Sequence, residues 1–270
     1  MKLATFLIDT FTAKPFTGNP TAVCLHDHNL DSQSMLSIAS ELNCPVTAFV
    51  RTKAEKNITY DIRYFTSVTE IAACGHATLA AAKVILEDLS ETEAIHFYTI
   101  DDILIKALST GQSIMMMYPV YQAKECEVDK RILNALGLER YLHAMHSIDL
   151  ETLFIEVSNV QVLKDVTPDY KKLLKSCDNI KEVVITSVSD HPKYDYYLRS
   201  FCPWIGIDED PVTGSVHSIL GSFWKSRLDK ERLKAYQASA RGGELEINAF
   251  DDRVEIGGEA VIIMKGEITI

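Results

Sequence analysis

The chain carries the same ordered set of short motifs twice, once in each half. The segment "YDIRYFT" at 60–66 is matched by "YYLRSFC" at 196–202, and "CGHATLAAAKVI" at 74–85 is matched by "TGSVHSILGSFW" at 213–224. In both halves an amphipathic helical pattern, at 34–43 and at 169–179, and then an apolar strand pattern precede these motifs. Chance could produce any one match, but the ordered set predicts two structurally equivalent halves.

Each half has the pattern of an α+β unit. Short alternating strands accompany one amphipathic helix and then a second helix with apolar or small residues on nearly every side. The second helix has no polar stripe for water, so we expect strands to wrap around it. The charged segment near 120–140 separates the halves and predicts an N-terminal domain at 1–119 and a C-terminal domain at 120–270. A return of the last few residues to the first domain stays open as an alternative.

Charge and composition narrow the range of partners. With 38 acidic against 27 basic side chains, the formal net charge is −11, which disfavours nucleic acid and anionic membranes. No segment has enough consecutive apolar residues to cross a bilayer, and Asp9 interrupts the N-terminal apolar run before a signal sequence forms. We therefore expect a cytoplasmic protein. The six cysteines are scattered without a Cys-x-x-Cys pair, which is typical of reduced thiols.

Two glycines stand at the starts of the apolar helices, Gly75 in the first half and Gly214 in the second. The first backbone N–H groups of a helix lack partners, and the helix dipole adds partial positive charge there. Glycine allows a ligand to approach such a backbone closely. If the halves pack face to face, both starts converge on one cleft. Gly75, Gly214 and the following Ser215 then predict a binding site for a small carboxylate.

Three reactive side chains flank these helix starts, namely Cys74, His76 and Asp210. A helix N-terminus lowers the pKa of a thiol, so Cys74 could be a base or nucleophile, and a small buried thiol is the equal alternative. His76 could donate to a bound anion or shuttle a proton, or it could simply cap the helix. Asp210, fixed by the following proline, is favoured as a general acid or base over a capping carboxylate.

No metal site is predicted. Cys24, His26 and His28 lie on one side of an extended segment, a spacing that superficially suits a transition metal. No other ligand cluster supports it, so we interpret the segment as a loop after a strand. The sequence also lacks the phosphate-binding loop, the dinucleotide-binding fingerprint and the nucleophile elbow.

Four longer segments carry motifs that occur together in one known family. They are "DTFTAKPFTGNPTAVCL" at 9–25, "IRYFTSVTEIAACGHATLAAAKVI" at 62–85, "EDPVTGS" at 209–215 and "GGEAVIIMKGEI" at 257–268. Together they resemble the PhzF-like family of phenazine biosynthesis proteins, whose fold is of the diaminopimelate epimerase type. The resemblance implies two pseudo-symmetric domains, each a mixed β-barrel around a central α-helix. It also implies an active site in the cleft between them that works without a cofactor.

Individual residues match the motifs of that family. Members that isomerise trans-2,3-dihydro-3-hydroxyanthranilate move a proton between ring carbons, and the resemblance implies this role for His76 in "GHAT" and Asp210 in "DPVTGS". It implies substrate binding by Ser215, which ends the second motif, and by Asn19 in "GNP", which matches a motif residue near the cleft. The two helix-start glycines are then expected to hold the substrate carboxylate through their backbone.

One position departs from the family pattern. Members read Asn-x-Ser-Glu-Thr-Ala-Phe, and this glutamate is their principal proton-transfer group. Here Asn43 and Thr47 keep the frame, so Pro45 and Val46 replace the serine and the glutamate. Since valine cannot move a proton, an isomerase-like enzyme and a small-carboxylate-binding protein without catalysis both remain as hypotheses. A third hypothesis is that the motifs only maintain the fold of a homodimer.

A second comparison concerns the thiol before the first helix. Diaminopimelate epimerase and proline racemase place a cysteine before each of two helices, because racemisation needs a base on one face of the carbon and an acid on the other. This chain has Cys74 before the first helix but Thr213 before the second. A two-thiol racemase is therefore not expected. A one-base reaction by Cys74 or Asp210, such as an elimination or a 1,3 proton shift, stays open.

Overall fold

The computed structural model describes residues 1–27, 29–53, 58–88 and 93–270. His28, one of the three side chains considered for a metal, lies outside the described residues. The described residues form eighteen β-strands and six α-helices, which confirms the predicted α+β class.

The elements follow one another in a similar order in the two halves. The first strands are β1 (Lys2–Thr10), β2 (Asn19–Leu25), β3 (Val46–Thr52), β4 (Thr59–Phe65), β5 (Glu70–Ile71), β6 (Ala94–Tyr98), β7 (Leu104–Thr110), β8 (Ser113–Pro119) and β9 (Lys124–Glu125). The later strands are β10 (His143–Ser147), β11 (Thr152–Glu156), β12 (Glu182–Val188), β13 (Tyr196–Cys202), β14 (Ile207–Asp210), β15 (Arg232–Gln237), β16 (Gly243–Ala249), β17 (Arg253–Gly258) and β18 (Ala260–Thr269). The helices are α1 (Ser32–Leu42), α2 (Gly75–Asp88), α3 (Lys130–Leu136), α4 (Val160–Asp165), α5 (Tyr170–Leu174) and α6 (His217–Leu228), with a 3-10 turn at Pro203–Ile205.

Strand pairing also follows the same order in the two halves. In the first half β1, β2, β3, β4, β6, β7 and β8 are successive neighbours, parallel at β2–β3 and β4–β6. In the second half β10, β11, β12, β13, β15, β16 and β17 are successive neighbours, parallel at β11–β12 and β13–β15. The halves are joined because β8 pairs with β17 and the last strand, β18, pairs along β1.

Helices α2 and α6 lie within the largest apolar cluster of the protein. Helix α2 packs against β1, β2, β3, β6, β7, β8 and β18, and its Leu79, Val84 and Ile85 have no exposed surface. Helix α6 packs against β15, β16 and β17 and buries Leu220 and Trp224. Full burial of one such aliphatic side chain contributes about 1.5–3 kcal/mol. The apolar sequence of each helix therefore explains its buried position, and the predicted burial is confirmed.

The end of α1 fixes where β3 begins. Asp31 caps the start of α1 by accepting a hydrogen bond of 2.7 Å from the backbone N–H of Ser34. Asn43 ends the helix in the left-handed region at a φ of 50°, and β3 starts at Val46. Alternate residues of a strand face opposite sides, so Val46 packs in the main cluster and Phe49 packs in an outer cluster with α1.

The second half has two short helices where the sequence predicts one. The helix predicted at 169–179 is α5, which ends at Leu174, and α4 precedes it. Asp169 caps α5 by accepting from the backbone N–H of Lys172 at 3.1 Å. The hydroxyl of Ser176 donates to the carbonyl of Leu173 at 2.6 Å. The same carbonyl accepts from the backbone N–H of Ser176 at 3.0 Å, so α5 ends in a tight three-residue turn to which the side chain adds a bond.

Helix α6 begins later than predicted. The sequence predicts that this helix starts at Gly214, whereas the regular helix begins at His217. The first turn is tighter than an α-helix, because the N–H groups of His217 and Ser218 donate to the carbonyls of Gly214 and Ser215, each at 3.1 Å. Such three-residue bonds are common at helix ends. The backbone N–H groups of the turn at 214–216 still precede the helix.

No helix in the described ranges is long and apolar enough to cross a membrane. All six cysteines are unpaired thiols, as their scattered spacing predicts. Cys24, Cys74 and Cys202 are buried, and the other three are half-buried.

Candidate active site

The N-terminal turns of α2 and α6 meet at Gly75 and Gly214. A Cβ atom added to Gly75 would lie 2.8 Å from the Cα of Gly214 and 3.0 Å from the backbone nitrogen of Ser215. A Cβ atom added to Gly214 would lie 3.1 Å from the Cα of Gly75. Both glycines are therefore required by the close approach of the two turns. Because the two turns are in contact, their backbone N–H groups lie close enough to bind one small anion together.

Asp210 contacts a residue on each side of this junction, Thr213 next to Gly214 and His76 next to Gly75. It ends β14 and is only 6% exposed. Its Oδ1 accepts from Asn19 Nδ2 at 2.6 Å, and its Oδ2 accepts from the hydroxyl of Thr213. The side chain of Gln237 fixes the turn, since it donates to the Asp210 carbonyl at 2.7 Å and accepts from the Thr213 N–H at 2.8 Å.

The burial of Asp210 changes its acidity. Loss of water raises the pKa of Asp210 to about 7, although the hydrogen bonds from Thr213 and Asn19 favour its charged form. A carboxyl with a pKa near neutrality can take up and release a proton at the pH of the cell.

His76 lies on the other side of this carboxyl. Its Nδ1 is 3.9 Å from Asp210 Oδ2, and the side chain is almost fully buried. Burial lowers the pKa of His76 to about 3, so the imidazole is neutral near pH 7. A neutral imidazole can donate through one nitrogen and accept through the other.

Cys74 is a buried thiol that lies against His76. Its Sγ lies 3.4 Å and 3.5 Å from the two ring nitrogens of His76. Burial raises the pKa of Cys74 well above its usual range, and the charges of Asp210 and Glu182 add to this, whereas the N–H groups of Ala77 and His76 act in the opposite direction. Of the two alternatives for Cys74, the structure favours the small buried thiol, because desolvation outweighs the helix start. Cys74 is a neutral thiol near pH 7.

Asn19 has one buried oxygen that is available to a ligand. It is the first residue of β2 and has no exposed surface. Its Nδ2 donates to Asp210 and, at 2.8 Å, to the carbonyl of Val212. Among the described residues its Oδ1 has no hydrogen-bond partner. A buried acceptor without a partner costs free energy, so a donor group on a bound molecule would be favoured there.

An ion pair between the halves holds the loop before Asn19. Arg241 donates to Asp9 Oδ1 at 2.7 Å, to the carbonyl of Gly18 at 2.8 Å and to that of Thr17 at 3.2 Å. Gly18 has a φ of +68°, and a Cβ atom there would lie 2.2 Å from the Thr10 carbonyl oxygen. Sequence analysis missed Arg241, because an arginine before paired glycines has the pattern of an ordinary turn.

Glu182 is a second functional candidate that sequence analysis missed. It starts β12, is half-buried, and accepts from the hydroxyl of Ser200 and, at 3.1 Å, from that of Thr152. Burial and the neighbouring charge of Asp210 raise the pKa of Glu182 to about 7, while the hydroxyl donors act in the opposite direction. The sequence repeat could have indicated Glu182. It stands as far before Arg199 in the second half as Val46 stands before Arg63 in the first half.

The structure thus brings most of the candidate residues to one place. Asn19 is hydrogen-bonded to Asp210, the neutral imidazole of His76 lies 3.9 Å from the same carboxyl, and Cys74 lies against His76. Ser215 lies half-buried in the turn before α6. In the described part of the chain, no group of three or more His, Cys, Asp or Glu side chains could hold a metal ion.

A separate surface cavity of about 370 Å³ does not include these groups. It is lined by Phe11 and by several cationic side chains. Two of the cations are already paired, Lys193 with Glu244 and Arg241 with Asp9. We therefore place the candidate site at Asp210, where buried groups with altered pKa values meet two helix starts.

Solved structures with the same arrangement of elements define the class of fold. A PhzF-family phenazine biosynthesis protein of Enterococcus faecalis matches with a TM-score of 0.90 at 32% identity, over 100% of both chains. A Pseudomonas aeruginosa protein described as a predicted epimerase matches with a TM-score of 0.74 over 99% of both chains. At 18% identity the second match shows the fold alone. The fold is therefore that of PhzF and epimerase-like proteins.

Sequence comparison identifies the family within that class. An uncharacterized isomerase of Halalkalibacterium halodurans is 37% identical over 268 residues, which is 98% of each chain. The profile of the PhzC-PhzF family, described as phenazine biosynthesis-like protein, matches residues 8–266. The chain belongs to this phenazine biosynthesis-like family, which confirms the resemblance of its motifs.

Proposed function

We propose that this protein is a cofactor-independent isomerase of the PhzF type that moves a proton on a small carboxylic acid. The substrate binds in the cleft between the two halves. Asp210 carries this proposal, since it is a buried carboxyl with a pKa of about 7 that lies at the junction of two helix starts. The naming of a close relative as an isomerase supports the same class of reaction.

The substrate carboxylate binds to the two helix starts. The backbone N–H groups of the turns at Gly75 and Gly214 carry partial positive charge, which attracts an anion despite the net charge of −11. Ser215 adds a hydroxyl donor in the same turn. The unpaired Oδ1 of Asn19 accepts from a donor group on the substrate, such as a hydroxyl or an amine.

Asp210 transfers the proton. As a carboxylate it removes a proton from a substrate carbon, and the electron pair of the broken C–H bond forms a new double bond to the neighbouring carbon while the π pair of the existing double bond shifts to its far carbon. A proton is then added to another carbon of the same system, so that the substrate is isomerised without oxidation. Thr213 and Asn19 donate to Asp210 and hold it in place. The neutral imidazole of His76 donates to or accepts from the substrate, and the thiol of Cys74 supports His76.

The remaining features of the proposal concern the whole protein. We infer two pseudo-symmetric domains, at 1–119 and 120–270, each a mixed β-barrel around a central helix. The matching order of strand pairing in the two halves supports this arrangement. A homodimer in the cytoplasm, with no nucleic-acid or membrane partner, remains a prediction from the sequence.

The proposal is tested by proton exchange. A thermal-shift screen with small carboxylic acids, hydroxyanthranilates and cyclic amino acids identifies ligands, because a ligand that binds the folded state raises the Tm. Proton NMR in deuterated buffer then follows solvent deuterium into each of them. We expect exchange into at least one ligand, and we expect Asp210→Asn to slow it by about 100-fold or more. Asp208→Asn, which alters an exposed neighbouring carboxyl, is the matched control and should exchange like the wild type.

Val46 favours one alternative function, a small-carboxylate-binding protein without catalysis. Val46 is 1% exposed and packs in the main apolar cluster, so it cannot move a proton. Under this alternative, carboxylic acids raise the Tm but none of them takes up deuterium from the solvent. That result would replace the isomerase proposal.

A further inference from the structure

Glu182 and Asp210 lie on one face of the sheet in the C-terminal half. Ser200 on β13 is paired both with Val184 on β12 and with Asp210 on β14. Residues that face each other in an antiparallel pair project to the same side, and so do residues two apart in one strand. The hydroxyl of Ser200 donates to Glu182, as this geometry requires. Glu182, Ser200 and Asp210 therefore form a row across three strands.

Among the described residues, the carboxyls of Glu182 and Asp210 lack a paired cationic side chain. In the part of the chain that the structure describes, no lysine or arginine forms an ion pair with Glu182 or Asp210. Lys181, next to Glu182, is bonded to Glu151 instead. Two nearby carboxyls without a cation cannot both ionise at low cost, so their titrations are coupled.

Glu209, next to Asp210 in β14, also raises the pKa of Asp210 through its charge, and it is ion-paired with Arg199 at 2.8 Å. Other titratable groups near the row are neutral near pH 7. They are the thiols of Cys74 and Cys202, whose pKa values are raised by burial and by the charges of both carboxyls. The imidazole of His76 is neutral for the same reason, loss of water. Within this group of side chains, Glu182 and Asp210 are therefore the ones that gain or lose a proton near pH 7.

We propose that Glu182 is a second proton-transfer group of this site and that it works with Asp210 as a coupled acid and base. The inference rests on the proposed function. One carboxyl is ionised and removes a proton from a substrate carbon, while the electron pair of that C–H bond forms a new double bond to the adjacent carbon and displaces the π pair of the existing double bond towards its far carbon. The other carboxyl is protonated and gives its proton to a second carbon, where a new C–H bond forms. The resting state returns when one proton passes between the carboxyls through solvent.

The position of Glu182 corresponds to that of Val46 in the other half. Val46 is paired with Thr21 across the parallel β2–β3 contact, and Glu182 is paired with Thr152 across the parallel β11–β12 contact. Both residues are the first of their strand. The C-terminal half thus supplies, at the corresponding position, a carboxyl that the N-terminal half lacks.

A titration without ligand tests the pair directly. Protein labelled with ¹³C at the glutamate side-chain carboxyls is titrated by NMR as wild type, Glu182→Gln, Asp210→Asn and the matched control Glu156→Gln. We expect one glutamate signal to titrate near pH 7, to vanish only in Glu182→Gln, and to move to lower pH in Asp210→Asn. If Glu182 titrates near the ordinary value of about 4.3, or is unmoved in Asp210→Asn, the pair does not exist and the inference is wrong.

Exchange measurements test the chemical role. With a ligand that exchanges in the wild type, Glu182→Gln should slow deuterium uptake by about 100-fold or more and leave the ligand-induced rise in Tm unchanged. Exchange at the wild-type rate in Glu182→Gln, together with its loss in Asp210→Asn, overturns the role of Glu182 and leaves the proposed function intact. If no ligand that raises the Tm exchanges in the wild type, the proposed function fails, and the role of Glu182 in catalysis fails with it.

Discussion

The carboxyl of Asp210 destabilises the folded protein when it is ionised. Its partners, Asn19 and Thr213, are neutral donors, and the carboxyl is shielded from water. Charge on this group is therefore penalised in the folded protein but not in the unfolded chain. Groups that are kept in an unfavourable state are typical of sites where acid and base chemistry takes place.

We expect Asp210→Asn to stabilise the fold at high pH. The pKa of Asp210 is raised from 3.8 to about 7, so the folded state binds more protons than the unfolded state between these values. Stability from this group therefore falls as the pH rises through that window. At pH 8 the variant should be more stable than the wild type by about 2–4 kcal/mol, and the difference should vanish near pH 4.

Urea unfolding at several pH values measures this difference. The buried histidines His76 and His217 have lowered pKa values and weaken both proteins at acid pH, so the comparison must be between variant and wild type. Asp208→Asn is the control, because Asp208 is exposed. A variant that is no more stable than the wild type at pH 8 would mean that Asp210 is not strained by its burial.

Among the helices and strands, α2 and the turn that leads into α6 approach each other closely at Gly75 and Gly214. We expect Gly75→Ala to destabilise the protein by about 1–3 kcal/mol, because the new methyl group would press on the backbone of Gly214 and Ser215. The same change should reduce the rise in Tm given by carboxylate ligands, since the two turns move apart. Urea unfolding and thermal shift measure both effects.

Gly266 provides a matched control for this substitution. A Cβ atom at Gly266 would have no neighbour within 4 Å, so Gly266→Ala should change stability little. Equal stability of Gly75→Ala and Gly266→Ala would show that the two helix starts do not need their close contact.

The elements that the sequence predicts best are those with a long apolar pattern. Helix α2 is recognised because Leu79 and its neighbours leave no polar face, and α6 is recognised for the same reason. The short helices were harder, since α5 ends where Ser176 bonds to the backbone, and no periodic pattern indicates that bond. The start of α6 was misplaced because its first turn is tighter than an α-helix.

The chemistry of the site was predicted only in part. The motif residues Asp210 and His76 do lie together, as the convergence of two helix starts requires. The two alternatives for Cys74 stayed open because a sequence shows that a residue is near a helix start but not how much water reaches it. Glu182 was missed because its strand has an ordinary apolar pattern, and its meaning depends on which residue of β13 lies beside it.

In the chain as a whole, the two halves are tied together at several places around the site. The strand pairs β8–β17 and β1–β18 connect their backbones. Arg241 connects them through side chains, because it binds Asp9 and the carbonyls of Thr17 and Gly18. The loop that it binds leads directly to Asn19, so the contact between the halves also positions a residue of the site.

We expect Arg241→Met to weaken both the fold and the site. Asp9 has no exposed surface, and removing its cation leaves a buried charge that keeps only the 2.6 Å hydrogen bond from the N–H of Phe16. Loss of one partner of a buried ion pair costs about 3–5 kcal/mol, and the lower end applies because Arg241 is 32% exposed. Urea unfolding measures this loss, and thermal shift with carboxylate ligands measures the disturbance of Asn19.

Two further variants separate the ion pair from the apolar packing of the arginine. Asp9→Asn in the Arg241→Met background removes the buried charge and should recover part of the lost stability. Arg131→Met removes an exposed arginine that is paired with Asp129, and such surface pairs contribute about 0–1 kcal/mol. If Arg241→Met costs no more than Arg131→Met, then neither the contact between the halves nor the position of Asn19 depends on Arg241.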